Sequence, residues 1–242
     1  MRPLSRTATA SATMPLPENR LLAALPPADF TRLTARMTDV TLGHKELLYR
    51  AGGPIEYVYF PRSGLLSSVV IMLDGQTAEA AAIGREGMIG VVSFLGAVHS
   101  PEQVFCQVFP AECRKLPVAE FVAEVGSGGA MRDIVHRYAR ATLAASSQQT
   151  ACNALHSIDE RCASWLLMCH DGAGADEFPL THEFLSVMLG VRRATVTVTA
   201  ASLQSAGIIS YRHGRVKVRE RAALEDSACE CYQVIRRAFE LP

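Results

Sequence analysis

Leu180-Thr-His-Glu-Phe-Leu-Ser-Val-Met-Leu-Gly-Val-Arg-Arg-Ala-Thr-Val-Thr-Val-Thr-Ala-Ala-Ser-Leu-Gln-Ser-Ala-Gly-Ile-Ile209 is the stretch on which the reading of this chain turns. Thr181 is an N-cap candidate for a short helix whose apolar face is Leu185 and Met188. Gly190 stands where a tight turn needs a residue free to take positive φ. A second helix is expected from about Arg192 to Ala206, with Val196, Thr199 and Leu203 facing inward and Gly207 ending it. Two helices of these lengths joined by a glycine turn form a helix-turn-helix. Downstream, Ile208 to Arg212, His213-Gly214 and Arg215 to Arg219 read as a two-stranded hairpin, which would be a wing.

Charge placement gives that unit a partner. The 242-residue chain carries 24 basic and 24 acidic side chains, and a neutral protein is at face value a poor nucleic-acid binder. Residues 192 to 221, however, hold Arg192, Arg193, Arg212, Arg215, Lys217, Arg219 and Arg221 against Glu220 alone, a net +6 that leaves −6 elsewhere. Basic side chains at the start of the second helix and around the hairpin, with His213 beside them, are where a major-groove reader and a backbone clamp need them. Arg193 is placed to make the bidentate contact to guanine O6 and N7, and Thr195 and Thr197 to meet phosphate or a thymine methyl. The bland alternative is a solvated basic hairpin on a helical subdomain.

Upstream of this unit the texture changes twice. From Val40 to about Leu116, short apolar or alternating runs are punctuated by turn residues, and Asp74-Gly75 between Ser68–Leu73 and Gln76–Ile83 is a strong hairpin signal. Several such strands indicate a small β-barrel or roll, preceded by helical segments between Asn19 and Met37 that break at Pro26-Pro27. After Gly126-Ser-Gly-Gly129, a heptad stripe runs through Met131, Ile134, Tyr138, Ala141, Ala145, Gln148 and Cys152. We expect this stripe to be a dimer seam, the alternative being one face of a helix packed on its own domain. A second stripe, Leu155, Ile158, Cys162, Trp165, Leu166 and Cys169, is expected to pack on the last domain.

The seven cysteines are odd in number and lack a Cys-x-x-Cys pair, so they read as buried core residues, with no metal site expected. Residues 1–17, rich in Ser, Thr, Ala and Pro, read as a flexible tail or as sequence ahead of a start at Met14. No apolar run approaches the ~18 residues of a membrane helix, and a cytoplasmic protein without a membrane partner is the expectation. No nucleotide-binding P-loop is present, and Cys169-His170-Asp171 cannot converge as a triad from adjacent positions. No catalytic residue is assigned, and an enzyme is not expected.

At these residues the chain resembles the Crp/Fnr family of bacterial transcription regulators, over nearly its whole length from about residue 19. The motif residues are Leu180-Thr181, Leu189-Gly190 and Arg193-Ala194-Thr195-Val196. The resemblance implies an α+β protein. A cyclic-nucleotide-binding-like sensor β-roll would span 18–126, dimerisation and linker helices 127–168, and a winged helix-turn-helix DNA-binding domain 169–242. It implies a homodimer on double-stranded promoter DNA, with RNA polymerase a further partner open to such a regulator. It also places Thr181 and His182 at phosphate and Arg193 at guanine.

The departures matter as much. Ala194 and Val198 stand where studied members carry a Glu and a second Arg, so a different operator with fewer base contacts is expected. They also leave room for a sensor or interaction module that has lost DNA reading. Gly84, Glu86, Gly87 and Gly90 look like the glycine-rich turn of the family's effector pocket. The ribose-binding Glu, however, is replaced near Val91 or Val92, and the phosphate-binding Arg pair is absent from His99 to Val104. Without that cation the cyclic phosphate has no counter-charge, so the effector is expected not to be cAMP, and no cofactor is assigned.

Overall fold

The computed structural model describes residues 18–108 and 110–240, so the tail expected at 1–17 lies outside the described residues. The chain opens with α1 (Arg20–Ala23) and α2 (Pro27–Thr34), separated at the Pro pair as expected. Asn19 caps α1 by accepting from the Leu21 and Leu22 amides, and its Nδ2 donates to the carbonyls of Pro61 and Gly87. One fully buried amide thus ties the first helix to the sheet with its hydrogen bonds satisfied, as burial of a polar group demands.

Seven strands follow: β1 (Thr38–Leu42), β2 (Leu47–Tyr49), β3 (Tyr57–Pro61), β4 (Leu65–Ile71), β5 (Thr77–Ile83), β6 (Gln103–Val108) and β7 (Ala111–Pro117). They form two antiparallel sheets, ordered β1-β7-β3 and β2-β6-β4-β5. The β4–β5 hairpin closes over Asp74-Gly75. Gly75 takes φ 83°, and the Asp74 carboxylate accepts from the Gln76 amide and side chain. Ile83, Val104, Cys106 and Cys113 fill the space between the sheets.

After α3 (Val118–Gly126), Gly128 and Gly129 both adopt positive φ and redirect the chain into α4 (Ala130–Leu155), whose 26 residues extend about 39 Å. Part of the expected dimer-seam stripe is taken up within the protomer. Met131, Ile134 and Tyr138 are buried in the protomer's own core with Leu21, Leu22, Phe60 and Phe121. Ala141 and Cys152 are buried too, while Ala145 and Gln148 are half-buried. A heptad stripe reports an apolar face, and here the cheapest cover for that face is intramolecular. The outward face of α4 carries Leu143, Ala144, Ser147, Ala151, Ala154 and Leu155, all exposed.

The chain then breaks. His156 is extended, and Ser157 caps α5 (Ile158–Ala173) through a reciprocal capping box with Glu160. Cys162, Trp165, Leu166 and Cys169 are buried as expected, but Leu155 is not part of that stripe. They share one buried cluster with Leu65, Val69 and Val108 of the roll and with Leu185, Val196 and Val216 of the C-terminal unit. Gly172 permits this approach, since a Cβ there would lie 2.9 Å from Leu65 Cδ1.

The remainder comprises β8 (Glu177–Pro179), α6 (His182–Leu189), α7 (Arg193–Ser205), β9 (Ile209–Arg212), β10 (Arg215–Val218), α8 (Arg221–Asp226) and α9 (Cys231–Ala238). β8 joins the expected hairpin in a β8-β10-β9 sheet. Among the described residues no single helix is long and apolar enough to cross a membrane.

Candidate nucleic-acid interface

Thr181 caps α6, its Oγ1 accepting from the Phe184 amide at 3.1 Å. Gly190 ends that helix at φ 65°, and α6 and α7 meet at 108°. Val196, Thr199 and Leu203 bury one side of α7. The opposite side presents Arg192, Arg193, Ala194, Thr197 and Val198 to solvent, with Val198 71% exposed. An exposed apolar residue on a helix without an apolar neighbour to cover it suits contact with a thymine methyl.

The wing is fixed against the same end of α7. His213 and Gly214 both adopt positive φ, the geometry of a tight two-residue hairpin turn. The Tyr211 hydroxyl donates to the Leu180 carbonyl at 2.6 Å, and the Leu180 amide donates to Gly214 at 2.8 Å. His182 lies over the Tyr211 ring at 4.3 Å between centroids, with Nδ1 3.1 Å from Thr197 Oγ1. Burial and then the Arg193 charge hold the His182 imidazole below its usual pKa. His182 thus links the wing to α7. Thr181, His182, Arg193, Thr197 and the Arg212–His213 turn are thereby brought to one surface.

The structure separates the basic residues into two sets. Arg192, Arg193, Arg212, His213, Lys217 and Arg219 are exposed. Arg215 is ion-paired with Glu177, and Arg221 is turned inward to Asp171, Glu225 and the Tyr232 hydroxyl. Thr195 is half-buried, so Thr197 is the more available hydroxyl. Arg215 thus enters the surface as a partly neutralised cation.

The second candidate site departs further from expectation. A cavity of about 490 Å³ lies between the roll and helices α4, α5 and α9. Glu86 and Gly90 line it, whereas Gly84 and Gly87 do not. A Cβ on Gly87 would come within 2.5 Å of the Tyr138 hydroxyl, and one on Gly90 within 2.5 Å of the Tyr49 hydroxyl. These glycines therefore serve close packing. Glu86 accepts from the Gly84 amide at 2.7 Å and bends back on its own turn. Burial raises its carboxyl above the usual range.

Sequence reading missed Glu79. It extends from β5 into the cavity, where it accepts from Trp165 Nε1 and Ser67 Oγ, each at 2.6 Å. Desolvation pushes its pKa up to about 7, outweighing these two hydrogen bonds. The alternation of β5 marked Glu79 only as one acid among alanines; nothing local announced that α5 would cover it.

A β-roll joined through a long helix to two helices, a glycine turn and a basic wing defines a Crp/Fnr-type regulator fold. Residues 160–227 match the family model described as the Crp-like helix-turn-helix domain. By fold the chain is similar to FixK2 from Bradyrhizobium japonicum, with a TM-score of 0.68 at 18% identity, covering 80% of this chain and 98% of that one. A putative Crp/Fnr-family transcriptional regulator from Eubacterium rectale gives 0.67 at 14% identity, over 86% and 96% of the two chains. The c-di-GMP responsive global regulator CLP of Xanthomonas campestris gives 0.63 at 14% identity, over 80% and 99%. No curated protein matches the chain by sequence. The Eubacterium rectale and Xanthomonas campestris proteins are described as regulators.

Proposed function

We infer that this protein is a homodimeric, sequence-specific DNA-binding regulator of transcription, acting on promoter DNA in the cytoplasm. The observation that carries the reading is the solvent-facing side of α7, where Arg193 and Thr197 share one surface with the His213 turn. Arg193 reads a guanine from the major groove, while Thr181, Arg192, Arg212 and Lys217 hold phosphates on either side. Dimerisation uses the outward face of α4 centred on Leu143, which is 67% exposed, and sets two reading helices about one helical turn of DNA apart.

The effector is not cAMP. Glu79, Glu86 and Glu102 line the cavity against a single cation among the described lining residues, Arg161, which gives one N–H to the Leu189 carbonyl at 2.9 Å and leaves its Nε without a hydrogen-bond partner. An anionic phosphate placed there would meet acids. An uncharged or cationic ligand suits the cavity better.

Selection of operators from random duplexes, followed by anisotropy titrations at two salt concentrations, tests the reading. A palindromic site bound at least ~10³-fold over random DNA is the expected result. Equal affinity for all duplexes would instead favour a sensor with a degenerate reading helix. Calorimetry with cAMP is expected to show no heat of binding.

A further inference from the structure

Four potential ligands that lie far apart in sequence meet beside the break between α4 and α5. Cys152 and His156 sit one turn apart at the end of α4, and Cys229 and Cys231 flank Glu230 at the start of α9. Cys152 Sγ lies 3.5 Å from Cys229 Sγ, and Cys231 Sγ lies 3.4 Å from His156 Nδ1. All four donor atoms fall within 4.8 Å of one another. The three thiols form a buried cluster of their own, apart from the larger apolar cores.

We propose that Cys152, His156, Cys229 and Cys231 form a mononuclear site for a thiophilic divalent metal ion of the Zn²⁺ class, and that the ion pins the DNA-reading domain to the end of α4. Tetrahedral Zn²⁺ with Zn–S of ~2.3 Å and Zn–N of ~2.0 Å sets sulfur–sulfur edges near ~3.7 Å and sulfur–nitrogen edges near ~3.5 Å. The separations in the cluster need only small rotamer adjustments to reach those edges. A four-iron cluster, whose cysteine sulfurs sit on separate irons roughly 6 Å apart, does not fit so compact a set. A Cys152–Cys229 disulfide would leave Cys231 and His156 without a common purpose.

The surroundings are those of a ligand shell. His156 Nε2 faces the Glu230 carboxylate at 3.2 Å, leaving Nδ1 free for the metal. Gln148 Nε2 donates to Cys231 Sγ at 3.0 Å, and Ser164 Oγ lies 3.2 Å from Cys229 Sγ. Such outer partners fix the orientation of metal ligands and tune their basicity. On binding, each thiol gives its proton to solvent and a sulfur lone pair to the ion, with no change of oxidation state.

Position gives the site its consequence. The chain changes direction at His156–Ser157, and the ligands come from both sides of that break. Metal binding therefore closes a bridge across the joint that orients α7. This consequence rests on the DNA-reading assignment, whereas the site itself does not.

The test uses the reduced full-length protein without DNA. Titration with Co²⁺ is expected to give one ion per chain with the absorption of a tetrahedral thiolate complex, displaced by Zn²⁺. Cys229→Ser and Cys231→Ser should abolish it, while Cys113→Ser should not. Glu230→Gln alters an exposed side chain and should weaken Zn²⁺ binding by about 10-fold or more. Zn²⁺ should slow amide exchange at Ser157–Ile158 and through α9. No uptake by the reduced protein, or uptake unchanged in Cys231→Ser and Glu230→Gln, would overturn the site. So would a Cys152–Cys229 disulfide whose reduction yields a protein indifferent to both ions. Exchange rates unmoved by bound Zn²⁺ would overturn the bridge. Failure of operator selection would leave these readouts intact and count against the DNA-binding reading alone.

Discussion

Gly190 turns the chain between α6 and α7 with nothing within 4 Å of the place a Cβ would occupy, whereas Gly87 and Gly90 are hemmed in by tyrosine hydroxyls. Gly190 is needed for its φ, and the residues that make the turn useful lie within a few positions of it. Gly87 is needed because Tyr138, 51 positions later, packs against it. The α6–α7 turn is thus built from short-range geometry, and the roll's glycine turn from long-range packing. A glycine-rich motif reports a close approach without saying what approaches.

The sharpest test of this contrast is Gly87→Val, expected to cost about 3 kcal/mol in thermal or denaturant unfolding through overpacking against Tyr138. Full stability in that variant would return the turn to the ligand-binding class. Next, Arg193→Ala should lose about 1–3 kcal/mol of discrimination at one base pair of a selected operator, with relaxed specificity there. Unchanged specificity would remove α7 from the major groove.

Glu79 contributes a pH dependence of intermediate size. Its folded-state pKa, about 7, is raised above the usual carboxylate value of 4.5. Its stabilisation is therefore complete below the unfolded value and is lost as pH rises through about 7. With an allowance for solvent in the cavity, the loss is about 1–2 kcal/mol, and Glu79→Gln should flatten that part of the stability profile. Gly190→Ala should cost about 1 kcal/mol from positive φ alone. A loss as large as that of Gly87→Val would erase the distinction. Smallest in affinity, Lys217→Ala should weaken all duplexes alike and reduce the salt slope by about one unit.

Much of the fold was legible for the same reason as the turn at Gly190. The β4–β5 hairpin, the break at Pro26-Pro27 and the α6–α7 unit depend on neighbours in sequence. The face of α4 was legible as apolar, but periodicity carries no information about which surface covers it, and Tyr138 turned inward. β8 escaped because three residues ending in Pro179 show no alternation. The cysteine grouping escaped because Cys152 and Cys229 are 77 positions apart. Around α7 and the wing, Arg193, Arg212, His213 and Lys217 lie exposed, but the acids that claim Arg215 and Arg221 arrive from β8, α5 and α8.

Trp165 is the chain's single tryptophan, and its indole N–H ends on Glu79 at the junction of roll and linker helix. Emission from the unlabelled protein therefore comes from this contact, with the tyrosines as background. Deprotonation of Glu79, filling of the adjoining cavity or withdrawal of α5 would each alter the polarity around the ring. The molecule carries its own optical gauge of whether the roll and α5 are in contact.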